Sequence, residues 1–153
     1  MSDTGAMIEE LAATPDRLRQ LTRSIKDAAL DVQAAGAWSA RTVLAHLRDD
    51  EFLVMRLRLE RMLVEDHPSL APFDEQAWEA DRWRGRERLD DLLDDFDLQR
   101  AASIAILRRV EGDVWQRSGM QAEYGTLTVR TWLDHWLEHD RMHLAQIEGS
   151  LSV

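Results

Sequence analysis

The 153-residue chain contains no cysteine. Disulfides, zinc–thiolate sites and a thiol nucleophile from the protein itself are therefore excluded, and any sulfur chemistry would have to use a small-molecule thiol. Proline (3), glycine (7) and tyrosine (1) are scarce, and runs of β-branched residues are few. With almost no strand signal, the expected class is all-α. Basic residues number 19 against 29 acids, for a formal net charge of −10. This lacks the basic stripe that phosphate binding needs, so no nucleic-acid partner is expected. No apolar run approaches the ~20 residues that span a bilayer, so no membrane is expected either. The first residues, Met1 to Ala6, show neither a basic leader nor an apolar signal core, and cytoplasmic residence is the expectation. The length fits a single domain over residues 1–153.

Apolar periodicity supplies the elements that are present. Ile8, Leu11, Leu18, Leu21 and Ile25 form a stripe for a first helix over 6–32, interrupted at Thr14-Pro15 by either a kink or a fresh N-cap at Thr14. Ser39 is a good N-cap for a second helix reaching residue 65. A connection over 67–86 carries Pro68, Pro72, Phe73, Trp78 and Trp83; its aromatics either cover a site or plug one end of the helical core. A third helix over 86–111 buries Leu89, Leu92, Leu93, Phe96, Ile104, Leu107 and Val110. Its run Asp90, Asp91, Asp94, Asp95 and Asp97 lacks the glycine turn and terminal glutamate of an EF-hand, and so reads as a solvated face. After a loop over 112–127, Thr128 caps the fourth helix. Four helices of about twenty residues joined by connections of mixed length make a four-helix bundle.

On the fourth helix, Val129, Trp132, Leu133, Trp136, Leu137, Leu144 and Ile147 gather into one apolar arc, with His139 and His143 at its edge. Their i, i+4 spacing stacks two imidazoles on one face, which suits convergence on a metal ion. His135 falls about 40° farther round toward solvent and flanks the pair. Two ligands leave a tetrahedral site incomplete, and a lone histidine beside an apolar face is usually a packing residue. His46, 93 residues before His139 on the second helix, is the candidate third ligand if helices two and four pack side by side. It projects with Val43, Leu53 and Leu57, and Asp50 lies one turn on. His67 directly precedes Pro68 and is left out. Asp140 sits near the middle of the apolar arc, where a carboxylate needs a partner. Glu51 and Arg58 occupy a similar inward position on helix two, and Arg100 is available on helix three. Either an interior Asp140–arginine pair or a bond from Asp140 that orients a liganding histidine would satisfy it.

Several segments, in order along nearly the whole chain, resemble the DinB superfamily. They are Trp38-Ser39 followed by Thr42-Val43-Leu44-Ala45-His46-Leu47 and Glu51, then Phe73 and Trp78, Tyr124-Gly125-Thr126-Leu127-Thr128, and His139-Asp140-x-x-His143-Leu-Ala-Gln146-Ile147. The resemblance implies a four-helix bundle of the DinB-like type, commonly a homodimer, with a divalent metal held by His46, His139 and His143. Zinc or nickel is typical, iron or manganese less so. The first helix or apolar positions such as Leu59 and Leu63 are candidates for a dimer surface.

Proteins of such a family include thiol S-transferases that join a low-molecular-weight thiol to an electrophilic small molecule, and that activity is the leading expectation here. The metal would hold the thiol as thiolate, and Asp50 or Glu51 would accept the proton or orient the ligands. Metal-dependent hydrolysis at the same open coordination position is the alternative. A non-catalytic metal- or small-molecule-binding protein is the third.

Overall fold

The computed structural model describes residues 3–152; residues 1, 2 and 153, which the sequence reading assigns to the N-terminus and the single domain, lie outside the described residues. Helix α1 (Asp3–Thr22) runs straight through Pro15, so neither a break nor a fresh start occurs there. Thr14 spends its hydroxyl on Asp140 Oδ2, 2.5 Å away. The first helix also ends ten residues earlier than its apolar stripe suggests. A short 3-10 turn at Asp27–Asp31 follows and carries Leu30 into the core.

Helix α2 (Ala40–Asp50) starts where expected, with Ser39 Oγ accepting from Thr42 N. It continues through one π turn, Glu51–Met55, into α3 (Arg56–Val64). The π turn spends one extra residue per hydrogen-bonded loop, and this rotates everything after Asp50 relative to a regular helix. As a result Leu53 and Leu57, expected beside His46, are 40% and 47% exposed. Leu59, expected on a dimer surface, is fully buried, and Leu63 packs against the same core.

Two further expectations are corrected between residues 65 and 128. The 67–86 connection holds a helix, α4 (Glu75–Asp81), capped by Asp74. Three short strands also form, β1 (Ser69–Leu70), β2 (Ser118–Gln121) and β3 (Gly125–Thr128). β1 lies parallel to β2, and β2 pairs with β3 as an antiparallel hairpin. Gly125, at φ 76, supplies the left-handed residue of the hairpin. Strands of two to four residues are too short to show a period of two, so the sequence carries no trace of them.

Helix α5 (Leu89–Leu107) is shorter than the 86–111 expected. Its first amide, Leu89 N, is held by Asp27 Oδ1 at 2.7 Å, a cap supplied from 62 residues away. Its acidic run is paired with Arg19 (Asp94, Asp97) and Arg86 (Asp91, Asp95) at the surface. Helix α6 (Val129–Leu151) begins with a reciprocal Thr128/Thr131 capping box.

Helices α1 and α2 each pack against both α5 and α6. The bundle therefore places the second helix diagonal to the first and alongside the last. One core cluster holds Leu11, Leu59, Met62, Leu133 and Trp136; the other holds Leu18, Leu30, Val43, Leu47, Leu92 and Phe96. The four-helix bundle expected from the sequence is what forms. Among the described residues no helix is long and apolar enough to cross a membrane.

Candidate metal centre

Side-by-side packing of α2 and α6 brings His46 to the histidine pair of the last helix. His143 sits edge to face with both other rings, with centroids 4.7 Å from His46 and 4.5 Å from His139, and His46 and His139 are tilted to each other at 5.3 Å. One nitrogen from each lies within 4.8 Å of the other two. His46 Nε2 and His139 Nε2 are 3.2 Å apart, close to the roughly 3.3 Å between two nitrogens bound tetrahedrally to one ion at about 2.05 Å. The donor set and spacing thus fit a divalent metal, and the three residues named from the sequence are the ones brought together. His135 stays outside the cluster, against Tyr124. His67 points to Ser118 Oγ, 2.8 Å away.

The immediate surroundings favour neutral imidazoles at two of the three positions. Burial pushes His46 down to about 4 despite the attraction of Asp50. Burial also pushes His143 down to about 4, reinforced by the charges of His139 and His46. His143 Nδ1 faces Gln146 Oε1 at 2.8 Å; donating that proton fixes the tautomer that leaves Nε2 free as a ligand. His139 differs: burial opposes its charge, but Asp140 and Asp50 overcome that and raise it to about 9. A cation in the cluster would take the place of that proton.

Asp50 belongs to the site. Its Oδ2 lies 3.1 Å from His139 Nε2 and 3.6 Å from His46 Nε2, and its buried Oδ1 has no hydrogen-bond partner. His46 Nδ1 and His139 Nδ1 are buried without partners as well. Such orphaned polar atoms are costly in a packed interior and mark a place where something else is meant to bind. Glu51, the other carboxylate considered, is engaged elsewhere. Both its oxygens take hydrogen bonds from Arg100, at 2.7 and 3.0 Å, and Trp136 Nε1 adds a third.

Of the two partners left open for Asp140, the interior arginine is the one it takes. It forms a buried ion pair with Arg100, at 2.6 and 2.9 Å, which holds its carboxyl well below the ordinary range despite burial. Its Oδ1 also lies 3.9 Å from His139 Nδ1, an ion-pair distance too long for a hydrogen bond.

Helix α4 brings two side chains to the cluster, Trp78, which was named from the sequence, and Glu75, which was not. Trp78, on α4, packs edge-on against His46 (5.4 Å) and tilted against Trp38 (5.7 Å) while its Nε1 donates to Asp49, so this aromatic of the connection does cover the site. Glu75, also on α4, places Oε1 3.9 Å from His46 Nε2, and burial and the charge of Asp50 raise its pKa. Its position depends on a helix that the sequence does not announce. Gln146 was legible as an i+3 neighbour of His143, a spacing that places two side chains on one face. Beside the cluster opens a cavity of about 450 Å³, bordered by Asp50, Glu75 and His139.

Known proteins with this pattern agree on the fold and on metal. The chain is 28% identical over 147 residues, 95% of its length and 72% of the relative's, to the Bacillus subtilis protein named "Putative metal-dependent hydrolase YfiT". It is 23% identical over 141 residues, 92% of its length and 81% of the relative's, to the Oceanobacillus iheyensis protein named "Putative metal-dependent hydrolase OB0782". The solved structure of YfiT, described as having an unusual four-helix bundle topology, superposes with a TM-score of 0.85 over 98% of this chain and 87% of that one, at 24% identity. The DinB superfamily model matches residues 10–147, and with the bundle and its histidines in place the chain belongs to the DinB superfamily.

Proposed function

We propose that this protein is a metal-dependent hydrolase whose divalent ion, zinc or nickel, is held by His46, His139 and His143. The observation that carries the reading is the convergence of three imidazole nitrogens within 4.8 Å beside an open cavity. Three protein ligands leave a coordination position for water or substrate, as catalytic sites do and structural sites do not. An ion so held supplies an acidified water and a polarised carbonyl. An all-imidazole donor set suits zinc, nickel or iron better than manganese, which prefers oxygen.

The chain's own groups fit this chemistry. Asp50 Oδ2, beside two of the ligand nitrogens, accepts a proton from the nucleophilic water, and Glu75, with its raised pKa, returns one to the leaving group. Gln146 orients His143, and Trp38 and Trp78 keep bulk water from His46. The relatives' names favour hydrolysis over the thiol transfer that leads the sequence reading. A transferase would use the same ligands with a low-molecular-weight thiol in the open position.

Elemental analysis of untagged protein, followed by ester and amide cleavage assays, tests the proposal. About one ion per chain is expected, with cleavage that needs the metal and no thiol. Both should be lost in the His46→Ala, His139→Ala, His143→Ala variant. Turnover only with an added thiol and an electrophile would assign a transferase instead. Metal binding with neither activity would leave a binding protein.

A further inference from the structure

Arginines in the interior of this protein have carboxylates beside them. Arg100 is paired with Glu51 and Asp140, Arg48 with Asp49 at 2.7 Å, and Arg82 with Glu87 at 2.6 Å. Arg58 is the exception among the described residues. It is 7% exposed, yet its one hydrogen bond is from Nη2 to the backbone oxygen of Ala71, at 2.8 Å. Its guanidinium lies over the Trp132 ring, 5.1 Å from the centroid. Desolvation pulls its pKa below the ordinary arginine value, with the carboxylate of Asp50 acting from a distance to raise it. None of its nitrogens is among the buried polar atoms left without a partner, so the donors not given to Ala71 keep access to solvent, and an anion placed against this largely desolvated guanidinium would engage them.

The unpaired donor group borders the same cavity as Asp50 and His139. The geometry points to Arg58 as the receptor for a carboxylate on the substrate, bound in that cavity with the scissile ester or amide at the histidines. The substrate class is a half-ester or half-amide of a small dicarboxylic acid, or an acylated amino acid of similar length. This inference rests on the hydrolase reading for what happens at the metal end, but the binding of the carboxylate stands on Arg58 alone.

Three observations narrow the class. Arg58 follows Asp50 by eight residues, through the π turn and into the next helix, about two turns on, so the carboxylate is received at a different point of the cavity from the reacting carbonyl. Phe73, Val54 and Trp132 also line the cavity, which suits a short apolar linker. Asp50, Asp74, Glu75 and Glu123 also border it, so one guanidinium faces surplus negative charge. A monoanionic carboxylate is tolerated there, and a dianionic phosphate is not. The planar fork of arginine matches a carboxylate through two parallel hydrogen bonds, a geometry lysine cannot reproduce.

Calorimetric titration of the zinc-loaded protein with the α,ω-dicarboxylates from succinate to suberate, with acetate as the one-ended reference, tests this. One chain length should bind more tightly than acetate. Arg58→Met should weaken that diacid roughly 10- to 100-fold, the range of a charge-assisted hydrogen-bond pair, while leaving acetate affinity unchanged. Arg58→Lys should recover part of the loss. Arg58→Gln, which keeps an amide donor for Ala71, guards against misfolding of the methionine variant and should show the same loss as Arg58→Met. No diacid binding tighter than acetate, or unchanged diacid affinity in both Arg58→Met and Arg58→Gln, would overturn the inference. Repeating the series without zinc separates the two readings. If Arg58 dependence persists and zinc makes no difference, the metal assignment fails and this one stands; zinc dependence without Arg58 dependence has the opposite meaning.

Discussion

Adjacent residues on helix α2, Asp50 and Glu51, lead to two buried polar sites with opposite characters. At Glu51 the network is closed. Arg100 gives all five of its N–H groups to Glu51, Asp140 and the Leu11 carbonyl, and its guanidinium lies against Phe96 and Trp136. At Asp50 the network is open. Three histidines crowd one carboxylate, and Asp50 Oδ1, His46 Nδ1 and His139 Nδ1 have no partner. A saturated network has nothing left to offer a ligand and serves the fold; an unsaturated one gives up stability to keep donors available. Asp140 borders both, paired with Arg100 and 3.9 Å from His139 Nδ1, so the two networks meet at one side chain.

Replacing the centre of the closed network should have the largest effect. Arg100→Leu leaves Glu51 and Asp140 buried without a counter-charge, a loss of about 3–5 kcal/mol. A thermal melt should fall by about 10 °C; a shift of less than about 2 °C would erase the distinction between the two sites.

The open site should reveal itself through pH in metal-free protein. His46 and His143 have folded pKa values near 4, below an unfolded value of about 6.5. As pH falls from 6.5 to 4 the unfolded chain binds protons that the folded chain refuses, and stability declines by up to roughly 3 kcal/mol per histidine. His139, near 9 when folded, acts in the other direction. Its contribution is complete below 6.5 and disappears as pH rises through 9. The three together place maximum stability near pH 6.5, and chemical denaturation across pH 4–10 measures it. A profile flat across that range would mean the cluster is as closed as the arginine network.

Gln146→Leu should weaken metal binding roughly 10- to 100-fold, the cost of removing the group that orients a ligand, with little change in melting temperature. Competition with a chelator reads the affinity, and a large melting shift instead would make Gln146 part of the scaffold. Smallest of all, Glu75→Gln should change metal affinity by less than about 3-fold, because a half-exposed group 3.9 Å from His46 is screened by solvent. A greater loss would make Glu75 a ligand.

Much of this was legible in the chain. The apolar stripes located four long helices, and the His139/His143 spacing with His46 on a partner helix named the cluster. Asp50, one turn from His46, was legible for the same reason. Leu53 and Leu57 were misplaced because the π turn at Glu51–Met55 leaves the local composition unchanged while rotating the face. The 3-10 turn after α1 and the cap on α5 were hidden because Asp27, far away in sequence, supplies the bond that matters. Arg58 looked like one inward charge among several, and only the absence of a carboxylate within ion-pair distance sets it apart.

The sequence by itself therefore determined the helical class and the bundle, through apolar periodicities within single helices, and the His139/His143 pair, through its spacing; His46 was joined to that pair by the resemblance to the DinB superfamily. Which helix lies beside which, and hence that α2 faces α6 so that His46 meets its partners, was decided by tertiary packing. So was the sorting of buried charges into the closed group around Arg100, the open group around Asp50 and the unpaired Arg58. Those outcomes depend on distances between residues tens of positions apart, and no local pattern encodes them.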